Sequence, residues 1–238
     1  TNERDCRVEV EFIINKTNHY LSNNGTFDLS LQITIPNEWE KLAPINIGYT
    51  AGIESDKIDP VWIEKASLMD KIIVISDHAK HGFDNTSWTG TDKDNKRVTI
   101  KNTVPVETVN YCVRKWEPEP LDLQIDTKFN FLAVAQWGPR KNMINTVKWF
   151  VEECYDKDVG LIVKTNLRKN SISDRIDVEA KISQLLSEYD DRKCKVYLIH
   201  GDLTQEEMAG LYTHPKIKSL VTLSHGEGFG LPVFEAVC

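Results

Sequence analysis

The most chemically suggestive stretch of the chain is Ser224-His225-Gly226-Glu227-Gly228-Phe229-Gly230-Leu231-Pro232-Val233-Phe234-Glu235-Ala236, which follows an apolar run at 219–223. Three alternating glycines let a backbone turn tightly and bring its N–H groups close to a ligand, and Pro232 suits the first position of a helix. Strand, glycine loop and helix start together make a place for a diphosphate, since unsatisfied N–H groups and the helix macrodipole both favour an anion. Carboxylates beside a diphosphate need another task. Ionised Glu227 and Glu235 accept charge-assisted hydrogen bonds from a ring of hydroxyls, so the ligand inferred is a sugar, a diphosphate and a nucleoside in one molecule. Each part alone has a plain alternative, a structural glycine turn or an unrelated pair of glutamates. A dinucleotide fingerprint fits poorly, because Gly226, Gly228 and Gly230 are spaced two and two and the acidic residue expected about 20 positions later would lie past the last residue.

Taken as one string, these residues resemble the glutamate–seven–glutamate signature of retaining glycosyltransferases with the GT-B fold, in particular the large family 4 group. Gly138-Pro139-Arg140-Lys141-Asn142 resembles that family's basic loop, whose lysine binds the donor diphosphate. The resemblance implies an α/β protein of two Rossmann-like, doubly wound domains, the acceptor on the first and the donor on the second. It implies transfer of a sugar from a UDP-, GDP- or ADP-sugar with retention at the anomeric carbon, with no cofactor and no metal. Carried over residue by residue, Glu227 holds sugar hydroxyls, Lys141 and Arg140 hold the departing diphosphate, Gly228, Phe229, Gly230 and Leu231 shape the donor loop, and Glu235 meets the ribose.

The chain also departs from the family pattern. Ala135 or Gln136 stands where another Arg is usual, so either Arg140 or Lys164 supplies the second cation, and Asn142 replaces a glycine. The stretch from His200 to Tyr212 is similar to the family's nucleobase-facing loop and next helix, which places Leu203 near the donor; His200 itself reads as a packing residue. Ile45–Glu54 and Lys71–His78 resemble acceptor-side segments, giving Tyr49, Thr50 and Ser76 as weak acceptor-side candidates. Family members often carry a His near the first of these loops, where this chain has Tyr49 and Thr50.

The elements that must position these residues show in the hydrophobic pattern. Apolar, β-branched segments at 7–14, 28–34, 71–76, 130–136, 160–165, 195–200 and 219–223 read as strands, most of them too apolar to leave one face in water. Met143, Val147, Phe150 and Cys154 form one helical stripe, and Ile182, Leu185, Leu186 and Tyr189 another. Asp59-Pro60 opens a helix, and Thr204 with Glu207 forms a capping box for one that runs to about Tyr212. Strand and helix alternate from residue 130 onward, the pattern of a doubly wound parallel sheet. Residues 82–97, rich in Gly, Asn, Thr and Asp, read as an exposed loop. Two prolines in Trp116-Glu117-Pro118-Glu119-Pro120 place the domain boundary between residues 117 and 118.

Composition narrows the classes further. The 238 residues are 40% hydrophobic and 27% charged, with a net charge of -7, enough for a real core and wrong for a nucleic-acid backbone, which favours a basic face. No run approaches the ~18–20 apolar residues of a membrane span. Cys6, Cys112, Cys154, Cys194 and Cys238 are scattered and contain no C-x-x-C pair, so they read as reduced thiols. The partners expected are a nucleotide sugar and a sugar, lipid or small-molecule acceptor, in the cytoplasm or peripherally at a membrane. The chain starts at Thr1, and the helix opened at Pro232 has only seven residues, 232–238, so the sequence reads as a truncated donor domain. Two further readings stay open: a non-catalytic nucleotide or nucleotide-sugar-binding fragment, and a GT-B epimerase or phosphorylase.

Overall fold

The computed structural model describes residues 3–91 and 94–238. Thr1, Asp92 and Lys93 of the expected loop, and the side chain of Cys6 lie outside the described residues. The chain divides into two compact units, Thr1–Asn110 and Tyr111–Cys238. The division falls earlier than the expected boundary at 117/118, and the proline segment belongs to the second unit because Glu119 N–H donates to the Glu206 carbonyl at 2.9 Å. Gly210 leaves room for this approach, since a Cβ there would strike the Glu119 carbonyl.

The first unit begins with helix α1, Glu3–Ser22, where a strand at 7–14 was expected. The alternation Val8-Glu9-Val10-Glu11 mimics a strand, but Val10, Ile13, Ile14, Thr17 and Leu21 recur at helical spacing over a longer window. A Schellman ending stops the helix: Asn24 is left-handed (φ 61°), and Gly25 N–H donates to the Tyr20 carbonyl at 2.9 Å. After it come β1 (Leu29–Ile33), a 3-10 turn at Pro36–Glu38, β2 (Ile45–Thr50), α2 (Pro60–Ala66), β3 (Lys71–Val74), α3 (Asp77–Asn85), β4 (Ser87–Thr91), β5 (Arg97–Lys101) and β6 (Val106–Thr108). The loop expected at 82–97 is instead the last turn of α3 and the hairpin β4–β5, in which Trp88 pairs with Ile100 and the Thr89 and Thr99 hydroxyls lie 3.2 Å apart. The expected α2 cap is present, with the Asp59 side chain accepting from Val61 N–H.

Strands β1, β2, β3 and β6 form a parallel sheet in chain order. One face carries Ile72, Val74 and Val106 against Trp39, Trp62 and Phe83. Gly48 is required there because the Trp39 ring lies 2.5 Å from where a Cβ would be. Coverage of both faces, expected from composition, fails at β1, where Leu29, Leu31 and Ile33 are exposed.

The second unit alternates β7 (Asn130–Val134), α4 (Met143–Cys154), β8 (Gly160–Lys164), α5 (Ile172–Leu186), β9 (Lys195–Ile199), α6 (Gln205–Tyr212), β10 (Ile217–Leu220) and α7 (Leu231–Glu235). Its four strands are parallel in the order β10-β7-β8-β9. Ala133, Leu161 and Val163 face α4 and α5 through Val147, Val178 and Ile182. Leu132 and Ile162 face Leu211 and Met208 of α6 on the other side. Covered on both faces, β8 is apolar from Leu161 to Val163, as the middle of a central parallel strand must be, and ends in Lys164. Strand β10 starts earlier than the expected 219–223, with a register irregularity between Ile217 and Ser219. The Thr204–Glu207 capping box is present.

Ile162 is fully buried at the centre of this sheet. Ile162→Ala is expected to destabilise the second unit by about 2–5 kcal/mol, read as a lowered calorimetric transition.

Candidate functional site

In the second unit β7 is followed in space by β8 on one side and by β10 on the other, so strand order reverses between β7 and β10. The chain leaves these neighbouring strands in opposite directions, and the crevice beyond their carboxyl ends is where open α/β sheets bind ligands. The loop after β7 carries Arg140 and Lys141. The loop after β10 carries Glu227.

The two loops are stitched together at four points. Asn142 Nδ2 donates to the Leu223 carbonyl at 3.1 Å, Arg140 Nη1 to the Gly226 carbonyl at 2.7 Å, and His225 N–H to the Arg140 carbonyl at 2.9 Å. Ser224 Oγ lies 3.3 Å from the Arg140 carbonyl and 2.8 Å from that of Gly226. Asn142 is left-handed (φ 54°, ψ 33°), a conformation asparagine tolerates better than most residues, and its amide adds a tie that a glycine would lack. The tie was missed at the sequence level, although the glycine-to-asparagine departure marked its position.

Within this frame Lys141 Nζ lies 2.5 Å from Glu227 Oε1 and 2.6 Å from Oε2, and Arg140 Nη1 lies 3.7 Å from Oε2. The Lys141 and Glu227 side chains are 19% and 29% exposed. Burial pushes the Glu227 carboxyl upward, but the hydrogen bonds from Lys141 and Ser224 and the charges of Lys141 and Arg140 outweigh it, so its pKa is lowered.

Of the other candidates, Gly228, Phe229, Gly230 and Leu231 continue the Glu227 loop, where a Cβ on Gly230 would lie 3.9 Å from that of Glu227, while Lys164, Leu203 and Glu235 have other partners. Lys164 donates to the Gly201 carbonyl at 2.5 Å, and burial pushes its pKa down against the opposing charge of Asp202. Gln136, in one of the two places where the family's Arg is usual, donates to the Leu167 carbonyl at 2.8 Å. Leu203 packs in the core with Leu211 and Met208. Phe229 contacts Tyr111 and Phe234, with ring centroids 5.1 and 5.3 Å apart. Gly230 is left-handed (φ 76°) and caps α7, and Leu231 is exposed.

Helix α7 has five residues, Leu231–Glu235, with Pro232 one place later than expected and Glu235 at its last position. So short a helix has little macrodipole, and the positive charge at this site comes from Lys141 and Arg140. Tyr212 donates to Glu235 Oε2 at 3.2 Å, and burial, with the nearby carboxylate, raises the tyrosine's pKa. Glu235 lines a hollow of about 390 Å³ with Trp116 and Met208.

In the first unit Tyr49 and Thr50 end β2 and Ser76 follows β3, neighbouring strands in register. Thr50 is buried, and Ser76 accepts from Ala79 N–H as the α3 cap.

His200, expected to pack at a strand end, is held by a carboxylate: its Nε2 lies 2.9 Å from Asp174 Oδ2. Asp174 also accepts from the N–H groups of Leu167, Arg168 and Lys169. Burial raises the Asp174 pKa, but these four hydrogen bonds prevail and bring it from 3.8 to about 2.

No family model and no curated protein matches this sequence. Solved structures do. Trehalose-6-phosphate from E. coli bound with UDP-2-fluoro glucose is 9% identical, with a TM-score of 0.56 over 81% of this chain and 50% of that one. S. aureus TarM in complex with UDP is 15% identical, at 0.50 over 82% and 35%. The lipopolysaccharide outer core galactosyltransferase WaaB is 14% identical, at 0.50 over 94% and 57%. These neighbours are GT-B glycosyltransferases. This chain shares their α/β fold of Rossmann-like parallel sheets, and it spans about half or less of the length of each. Among the described residues no helix is long and apolar enough to cross a membrane.

Because the Asp174 pKa is depressed, its contribution to stability is complete above pH ~4 and is lost as pH falls towards 2. Wild-type thermal stability is expected to drop across that window, whereas Asp174→Asn starts lower at pH 6 and varies less between pH 4 and 2.

Proposed function

We propose that this chain belongs to a retaining glycosyltransferase of the family 4 kind, which transfers a sugar from a UDP-, GDP- or ADP-sugar to an acceptor hydroxyl. The observation that carries the reading is the convergence of Lys141, Arg140 and Glu227 where strand order reverses. Two cations and one carboxylate, supplied by loops beyond the carboxyl ends of β7 and β10, suit a ligand that is anionic at one end and rich in hydroxyls at the other.

Lys141 and Arg140 bind the diphosphate and stabilise the charge that grows on it as the bond to the anomeric carbon breaks. Their positive charge fills the role a metal ion fills elsewhere. Glu227 accepts from hydroxyls of the donor sugar and fixes its orientation. The backbone of Gly228, Phe229, Gly230 and Leu231 lines the donor, and Glu235 receives the ribose hydroxyls, exchanging its Tyr212 partner for them. On the first unit, Tyr49, Thr50 and Ser76 stand at strand ends on the acceptor side, for a sugar, lipid or small-molecule acceptor, in the cytoplasm or at its membrane surface.

A second reading, a nucleotide-sugar-binding protein without transferase activity, is favoured by one observation: Thr50 is buried and Ser76 is engaged as a helix cap, so neither is poised as an acceptor-side base. Product analysis separates the two. Transfer or slow hydrolysis of a nucleotide sugar, with the released sugar retaining its anomeric configuration by NMR, supports the transferase; binding without turnover supports the second reading. Lys141→Met is expected to lower donor turnover by about 10²–10³-fold. Glu235→Ala is expected to weaken nucleoside diphosphate binding by roughly tenfold or more, the loss of a charge-assisted hydrogen bond. Unchanged affinity by calorimetry would contradict the role given to Glu235.

A further inference from the structure

The reading above gives Lys141 and Glu227 different parts of one ligand, yet in the ligand-free chain they hold each other. Both carboxylate oxygens lie within 2.6 Å of the ammonium, and the Arg140 guanidinium stands 3.7 Å away on the same carboxylate. Glu227 therefore occupies the place on the cations that a diphosphate would take. Two anions cannot share that place, because at such separations their repulsion matches the attraction each feels. A diphosphate must displace the carboxylate.

The Glu227 side chain is 29% exposed where it stands; a carboxylate that loses its ammonium partner in so screened a place is in an unfavourable state. The Ser224 hydroxyl already hydrogen-bonds it. A sugar attached to the diphosphate brings several hydroxyl donors to the displaced carboxylate. A nucleoside diphosphate without the transferred sugar has only its ribose hydroxyls, which the proposed function gives to Glu235.

Resting on the proposed function, we infer that Glu227 is a specificity-determining residue: its ion pair with Lys141 excludes free nucleoside diphosphates and admits nucleotide sugars, whose hydroxyls replace the broken pair. The same exchange drives product release. Once the sugar has left for the acceptor, Glu227 loses its hydroxyl partners, returns to Lys141 and expels the nucleoside diphosphate. The Asn142–Leu223 and Arg140–Gly226 hydrogen bonds hold the two loops together during the exchange, so it needs only side-chain motion.

The test uses matched probes in calorimetry on the 238-residue chain: UDP against UDP-glucose, GDP against GDP-mannose and ADP against ADP-glucose. Titrations at about 0.5 M salt screen longer-range charge effects. For the pair that binds, the wild type is expected to prefer the nucleotide sugar. Glu227→Gln, which removes the competing charge and keeps a hydrogen-bonding amide, is expected to bind the free diphosphate about tenfold more tightly, while the nucleotide sugar changes little, so the preference collapses. Glu227→Ser should show the same rise and serves if the glutamine variant does not fold. Free-diphosphate affinity that stays level or falls in both variants overturns the inference and leaves the proposed function standing. Failure of every nucleotide and nucleotide sugar to bind the wild type overturns the proposed function, and the inference with it.

Discussion

The reversal of strand order beside β7 is the constraint on which the site depends. With β8 on one side and β10 on the other, right-handed crossovers send α4 and α5 to one face of the sheet and α6 to the opposite face, as the two sets of packing partners show. In such a topology the loops leaving β7 and β10 run above adjacent strands, and the crevice between them is the expected ligand site. The chain bridges that crevice with Asn142, Arg140, His225 and Ser224, which hold one loop to the other through backbone carbonyls. In the first unit the described strands follow chain order and make no such crevice.

The charges placed there do little for stability. For a largely buried ion pair the loss of hydration offsets most of the attraction, and apolar residues of similar volume often replace such a pair at small cost. Their arrangement makes sense as binding chemistry held in a neutralised form until an anion with hydroxyls arrives. Other charged groups in the unit do serve structure. Asp174 gathers three backbone N–H groups and His200, and so fixes the turn after β8. Lys164 holds the Gly201 carbonyl and thereby the start of the loop after β9. Loops at the carboxyl edge of the sheet are thus set by side chains of neighbouring elements, Asp174 of α5, Lys164 of β8 and Asn142 at the start of α4.

Much of this was legible in the sequence where local chemistry decides. The apolar middle of β8, the Asp59-Pro60 start, the capping box at Thr204 and the glycine string after β10 each declare themselves within a few residues. What was not legible depends on residues far apart. Val8 to Glu11 alternates like a strand, and only the longer helical repeat and the Asn24-Gly25 ending identify α1. The hairpin β4–β5 is half hidden: β5 alternates through Val98 and Ile100, but β4 has Trp88 alone as a large apolar residue, so its strand character comes from pairing with β5. The choice between Arg140 and Lys164 could not be made from spacing. It is a tertiary fact that Arg140 stands at Glu227 and Lys164 at Gly201. Likewise, the partnership of Glu235 with Tyr212 joins α7 to α6 and has no local signature.

The central claim is that the loops after β7 and β10 form one site for a nucleotide sugar. Amide hydrogen exchange followed by mass spectrometry, with and without saturating UDP-glucose, GDP-mannose or ADP-glucose, addresses it most directly. The account predicts that one of these ligands slows exchange in both loops together, at residues 138–142 and 223–231. Protection confined to one loop, or appearing only elsewhere in the chain on addition of a ligand that binds, would contradict it.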